Sequence, residues 1–202
     1  MVRTLNPEKR ANLLSAALKL FVLNGVKNTS TAEIAREAGL AAGTLFLYFP
    51  TKQALMEELV LKVGREQSEY INSLLSPSQS ARESFFAIWS GTVHWFLENM
   101  PAYQYIQQVR DTGMISQAAV QESAKSLSYY FAAIQKGLAE GCLKPYPVDL
   151  IGGFLYQDLV ATMSYMSMQA DPGKQEESIL QAFEIFWDGI KVPSKTGEKN
   201  EI

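Results

Sequence analysis

The chain has 202 residues, 47% hydrophobic and 19% charged, which is enough apolar material for a buried core and excludes the low-hydrophobicity, high-charge composition of disorder. Its single cysteine, Cys142, excludes an internal disulfide, the opening MVRTLNPEKR carries no secretory pattern, and no charge-free apolar run reaches the roughly 18 residues of a membrane span, so a cytoplasmic address is expected. The net charge of −3 conceals an asymmetry: residues 1–56 hold seven Lys/Arg against three acids (+4) and the rest 11 against 18 (−7), so only the head suits a polyanion.

Apolar residues recur with a helical period and hairpin signals are missing, which predicts an all-α chain of about nine helices. The first helix is expected from Pro7, with Asn6 as its cap, to Leu23, burying Leu14, Ala17, Leu18 and Phe21 and ending at Asn24-Gly25. Ser30-Thr31-Ala32-Glu33 is a capping box that opens a short helix over 31–38. Gly39 suits the left-handed turn that follows, and another short helix begins at Ala41 or Ala42, so the two make a helix-turn-helix. Thr51 caps a long helix reaching about Leu75. Five more are expected over 80–99, 102–112, 117–140, 147–170 and 174–190, before a loose polar tail over 193–202. In 117–140 the stripe Val120, Ala124, Leu127, Phe131, Ile134 and Leu138 reads as core.

The run from Ser30 to Leu55, STAEIAREAGLAAGTLFLYFPTKQAL, resembles the DNA-binding region of the tetracycline-repressor (TetR) family. Its marks are the capped helix, the I-A-x-x-A-G turn, the G-T-L-x-x-Y-F helix and the T-K that starts the next one. The resemblance covers about residues 8–56, and it implies a helix-turn-helix domain over 1–51 and a ligand-binding and dimerisation domain over 52–192. It further implies a homodimeric repressor that leaves a palindromic double-stranded operator when a small effector binds. Ser30, Thr44, Tyr48 and Lys52 would hold backbone phosphates, and helix 42–48 would lie in the major groove. The expected DNA-binding set is Ser30, Thr31, Ala41, Ala42, Gly43, Thr44, Phe46, Leu47, Tyr48 and Lys52. Ser30 could equally serve only as a cap, Tyr48 pack on the first helix, and Lys52 stay solvated. Ala41-Ala42, Phe46 and Leu47 depart from the family's common polar residues, which leaves the reading helix unusually apolar and points to A·T-leaning readout aided by DNA shape.

The body supplies candidates for two further sites. Ile179, Ala182, Phe183, Phe186 and Trp187 on the last helix, with Gly153, Phe154, Ala161 and Tyr165 on the one before, form the expected dimer face, or else an intrachain core stripe. Trp89, His94, Trp95, Phe96, Tyr103, Tyr105, Tyr129, Tyr130, Phe131, Tyr156, Met163 and Met166 are candidates for lining a pocket for a hydrophobic or aromatic effector, though any helical core also looks like this. One histidine and one cysteine make a metal site unexpected, no cofactor is called for, and no nucleophile elbow, phosphate loop or dinucleotide fingerprint points to an enzyme. The rival reading is a helical carrier of hydrophobic ligands that does not bind DNA.

Overall fold

In the computed structural model the described residues are 5–110, 113–168 and 171–193. They form ten α-helices: α1 (Pro7–Asn24), α2 (Thr31–Glu37), α3 (Ala42–Tyr48), α4 (Lys52–Leu74), α5 (Ala81–Glu98), α6 (Met100–Arg110), α7 (Gln117–Ala124), α8 (Ser128–Ala139), α9 (Val148–Met166) and α10 (Pro172–Ile190). The only pairing of extended backbone among the described residues is an isolated bridge between Leu143 and Lys191. None of the described helices is long and apolar enough to cross a membrane. Arg3, the residues 111–112 and most of the expected polar tail lie outside the described residues.

The fold divides into two compact units, one of residues up to Ser68 with Glu98–Ser126, the other of Glu69–Leu97 with the chain from Leu127 on. In the first, Leu13, Leu14, Ala17 and Phe21 of α1 close over Ile34 and Ala35 of α2, Leu45 of α3 and Leu55, Met56 and Leu59 of α4. The Asn6 side chain accepts the backbone N–H groups of Glu8 and Lys9, which fixes where α1 starts. Tyr105 of α6 stacks on Phe21 with ring centres 5.7 Å apart, and its hydroxyl donates to the Met56 carbonyl at 2.7 Å. Burial pushes this phenol well above the usual tyrosine range.

The second unit is built on aromatic contacts between α5 and α10. Trp89 stacks on Phe186 at 5.5 Å, Phe85 meets Trp187 at 5.7 Å, and Phe86 meets Phe183 edge-on at 5.1 Å. Two polar pairs lie over this core: Arg82 with Glu184, and His94 Nε2 with Glu176 at 2.7 Å.

The helix expected over 117–140 is interrupted by a 3-10 turn, Lys125–Leu127. The Ser126 carbonyl is recruited by the Ser68 hydroxyl of α4 at 2.9 Å, and the serines there pack over Gly64. The tighter turn shifts the helical phase, so the expected core stripe does not form as one face. Ile134 is buried, but Val120, Leu127, Phe131 and Leu138 are exposed.

Candidate nucleic-acid interface

Local chemistry sets the geometry of α2 and α3. The Ser30 backbone N–H and hydroxyl both donate to the Glu33 carboxylate at 2.8 Å, and the Ser30 oxygen accepts the Glu33 N–H at 3.2 Å, completing the capping box. Those bonds, the backbone one foremost, hold the Glu33 carboxyl below its usual range. The helix ends in a Schellman turn: Leu40 N–H donates to Ala35 O at 2.8 Å and Gly39 N–H to Arg36 O at 3.0 Å. That closure requires the left-handed φ of +70° found at Gly39. Leu45 and Phe49 then anchor the inner side of α3 in the core.

The anchoring turns the remaining face of α3 outward. Ala41, Ala42 and Gly43 are exposed, and so are Phe46 and Leu47, at 49% and 60%. Thr31, Thr44 and Tyr48 are half-buried. The Tyr48 hydroxyl accepts the Asn6 backbone N–H at 3.2 Å, tying α3 to the start of α1 while leaving its own proton to donate. Ser30 is exposed, but its proton is already committed to Glu33. Lys52 is half-buried rather than fully solvated: its ammonium donates to the Val26 carbonyl at 2.6 Å and lies 5.9 Å from the Phe21 ring centre. Burial pulls its pKa below the usual lysine value, against the pull of Glu33. Lys9 and Lys27 are exposed and make no ion pair among the described residues.

The effector candidates divide between the units. Tyr105 is a core residue of the first unit with a satisfied hydroxyl, so it is not free to meet a ligand, and Phe131 faces solvent at 43%. Tyr103 is half-buried in the first unit. The second unit holds Trp89, Trp95, Tyr129, Tyr130, Met163 and Met166 buried, and His94, Phe96 and Tyr156 half-buried. Trp89 Nε1 and Tyr130 Oη are buried without a hydrogen-bond partner among the described residues. Burial raises Tyr129 to about 12.

The dimer candidates divide by helix face. Ile179, Phe183, Phe186 and Trp187 are 1%, 0%, 3% and 5% exposed, so they belong to the chain's own core and cannot meet a partner. The opposite side of α10 carries half-buried Ala182 and Ile185, which is 77% exposed, and that of α9 carries Gly153, Phe154, Ala161 and Tyr165, all exposed. Between these helices lies an open groove of about 280 Å³ that brings Ala161, Tyr165, Met166, Ala182 and Ile185 together with Asp158. Sequence reasoning missed Ile185 because the larger side chains beside it point the other way.

Comparison with known proteins agrees with the helical fold and with a helix-turn-helix at the start of the chain. The sequence profile described as "Bacterial regulatory proteins, tetR family" matches residues 13–59, the span from α1 into α4. A crystal structure assigned to the tetR family of transcription regulators, from Shewanella sp. PV-4, is similar with TM-score 0.85 at 30% identity, covering 92% of this chain and 99% of that one. The uncharacterized HTH-type transcriptional regulator YhgD of Bacillus subtilis (strain 168) is 23% identical over 181 residues, 89% of this chain and 94% of its own. The transcriptional regulator FadR of Bacillus subtilis, solved in complex with stearoyl-CoA, shares the fold with TM-score 0.73 at 18% identity, over 89% of this chain and 98% of that one.

Proposed function

The chain belongs to the tetR family of bacterial regulatory proteins and is a DNA-binding transcription regulator; on that premise we propose that it is a cytoplasmic, homodimeric repressor released from a palindromic operator by a small apolar effector. The observation that carries the reading is the outward face of α3, held by Leu45 and Phe49 from within and by the Gly39 turn from behind. A helix presented in this way fits the major groove, and a two-fold pair of them fits two half-sites. The functional division is a DNA-binding head over 1–51 and a ligand-binding and dimerisation body over 52–192.

The pairing surface is the outer side of α9 and α10, where Phe154, Tyr165 and Ile185 lie 59%, 47% and 77% exposed. Burying such side chains between two copies supplies the association energy that a single small head lacks. The effector is placed inside the second unit, where the orphaned Trp89 Nε1 and Tyr130 Oη favour a molecule with a hydrogen-bond acceptor on an apolar body. FadR, which shares the fold, holds stearoyl-CoA, a ligand with a long apolar acyl chain on a charged carrier. Helix α4 follows directly on the head and lies in the first unit up to Ser68 and in the second from Glu69, so it is the covalent route by which binding would shift the populated state.

Thr44, Tyr48 and Lys52 take the phosphate contacts, with Lys52 using the N–H groups left after its bond to Val26, whereas Ser30, whose hydroxyl and N–H both go to Glu33, serves as the cap of α2. The test is a titration of a selected duplex at several salt concentrations with wild type and Lys52→Ala. Removing one ammonium from the phosphate backbone reduces the salt slope by roughly one unit at every sequence. An unchanged slope removes Lys52 from the interface and leaves it as a brace for the α1–α2 loop.

A further inference from the structure

The side chains that α3 turns to solvent contain no hydrogen-bonding atom. Ala42, Gly43, Phe46 and Leu47 are exposed, whereas the polar residues of this helix, Thr44 and Tyr48, are half-buried, and the Tyr48 hydroxyl already meets the Asn6 N–H. In the major groove the four base pairs differ by donors, acceptors and one apolar group, the C5-methyl of thymine. An aliphatic or benzyl side chain gains nothing from the donors and acceptors, but it gains contact area from the methyl.

Resting on the operator-binding reading above, we infer that Leu47, with Phe46 beside it, determines specificity by packing on pyrimidine C5-methyl groups, so that α3 reads the methyl rather than the base that carries it. Two bases can supply that chemistry, thymine and 5-methylcytosine, and both place the methyl at the same edge of the groove. The occupant is DNA rather than a second copy of the chain because the patch lies in residues 1–56, with their balance of +4, whose exposed Lys9 and Lys27 have no carboxylate partner among the described residues. The larger outward apolar surface for self-association is on α9 and α10 instead.

The experiment uses the full-length protein and a duplex selected from a random pool. Each thymine of a half-site is replaced in turn by deoxyuridine, which removes only the methyl, and separately by cytosine or 5-methylcytosine paired with guanine. One or two positions per half-site should lose about fourfold in affinity on going to deoxyuridine, the worth of one buried methyl, and about fifteenfold when both half-sites change. At those positions 5-methylcytosine should recover the fourfold over cytosine. Leu47→Ala, at a position 60% exposed where the fold does not need the side chain, should bring the thymine-to-deoxyuridine ratio at one of them close to one. If deoxyuridine binds as well as thymine throughout, the inference fails while operator binding stands. If no duplex is enriched at all, both fail. If Leu47→Ala instead dissociates DNA-free dimers, the patch is a self-association surface and the inference is wrong.

Discussion

Replacing Gly43 by alanine separates what α3 needs in order to fold from what it needs in order to bind. Gly43 is the second residue of α3, its φ is not positive, and a Cβ built there meets nothing within 4 Å. Alanine therefore costs no packing and gains the helix preference of roughly 0.5–1 kcal/mol over glycine. For a chain of this size each kcal/mol moves the thermal midpoint by about 2–4 °C, so Gly43→Ala should melt about 1–4 °C higher. The same open space lets DNA approach the α3 backbone closely, and the added methyl stands in its way. Operator affinity should therefore fall by roughly fivefold to 150-fold, as expected for about 1–3 kcal/mol of overpacking. Differential scanning fluorimetry and fluorescence anisotropy on one preparation give both numbers. A variant that is stabilised yet binds at wild-type strength would refute the placement of DNA against this face, and one that is destabilised would refute the open environment.

Tyr48→Phe removes the acceptor for Asn6 N–H together with the hydroxyl proton offered to phosphate, so it should cost about 0.5–1.5 kcal/mol in a denaturant titration and weaken operator binding at every sequence equally. Glu58 bridges Arg10 of α1 and Arg65 of α4 at 2.9 Å and 2.8 Å. Burial pushes its carboxyl up, but the two guanidinium groups outweigh burial and hold it below the usual 4.5. A carboxyl with a depressed folded pKa stabilises above its unfolded value and loses that contribution as pH falls through the folded one. The wild-type melting temperature should thus drop faster than that of Glu58→Gln below pH 4.5, and parallel curves would contradict the pairing. Phe154→Glu and Ile185→Glu put a charge on the outer face of α9 and α10 without disturbing the core, so sedimentation should find folded monomers with association weakened roughly 100-fold. Unchanged dimers would move the pairing surface elsewhere.

Features governed by neighbours along the chain are legible in the sequence. The Asn6 cap, the Ser30–Glu33 box and the Gly39 turn each need residues within about five positions, and the bounds of α1 to α4 follow from them to within one residue. Features governed by distant partners are not. The break at Lys125–Leu127 depends on Ser68, 58 positions away from Ser126, and nothing in a helical apolar stripe announces it. On α10 the spacing of Ile179, Phe183, Phe186 and Trp187 marks an apolar face correctly, but it cannot say whether that face meets the same chain or another. The largest rings went to the chain's own α5, and the outer side kept Ile185. Tyr105 reads as pocket lining because its type suits a ligand, whereas in the fold the Met56 carbonyl and the Phe21 ring claim it. Lys52 and Ser30 read as phosphate ligands through resemblance, and their local partners Val26 and Glu33 emerge only from the folded geometry.

The central claim, a two-fold pair of α3 helices reading an operator, is tested most directly by selecting bound sequences from a random duplex pool with the purified full-length protein. The expected result is enrichment of one palindrome whose half-sites lie a whole number of helical turns apart, about 10 base pairs per turn, bound by one dimer. Weak binding shared by all sequences and abolished by roughly 200 mM salt would contradict it, since that is what a basic head alone achieves on any polyanion.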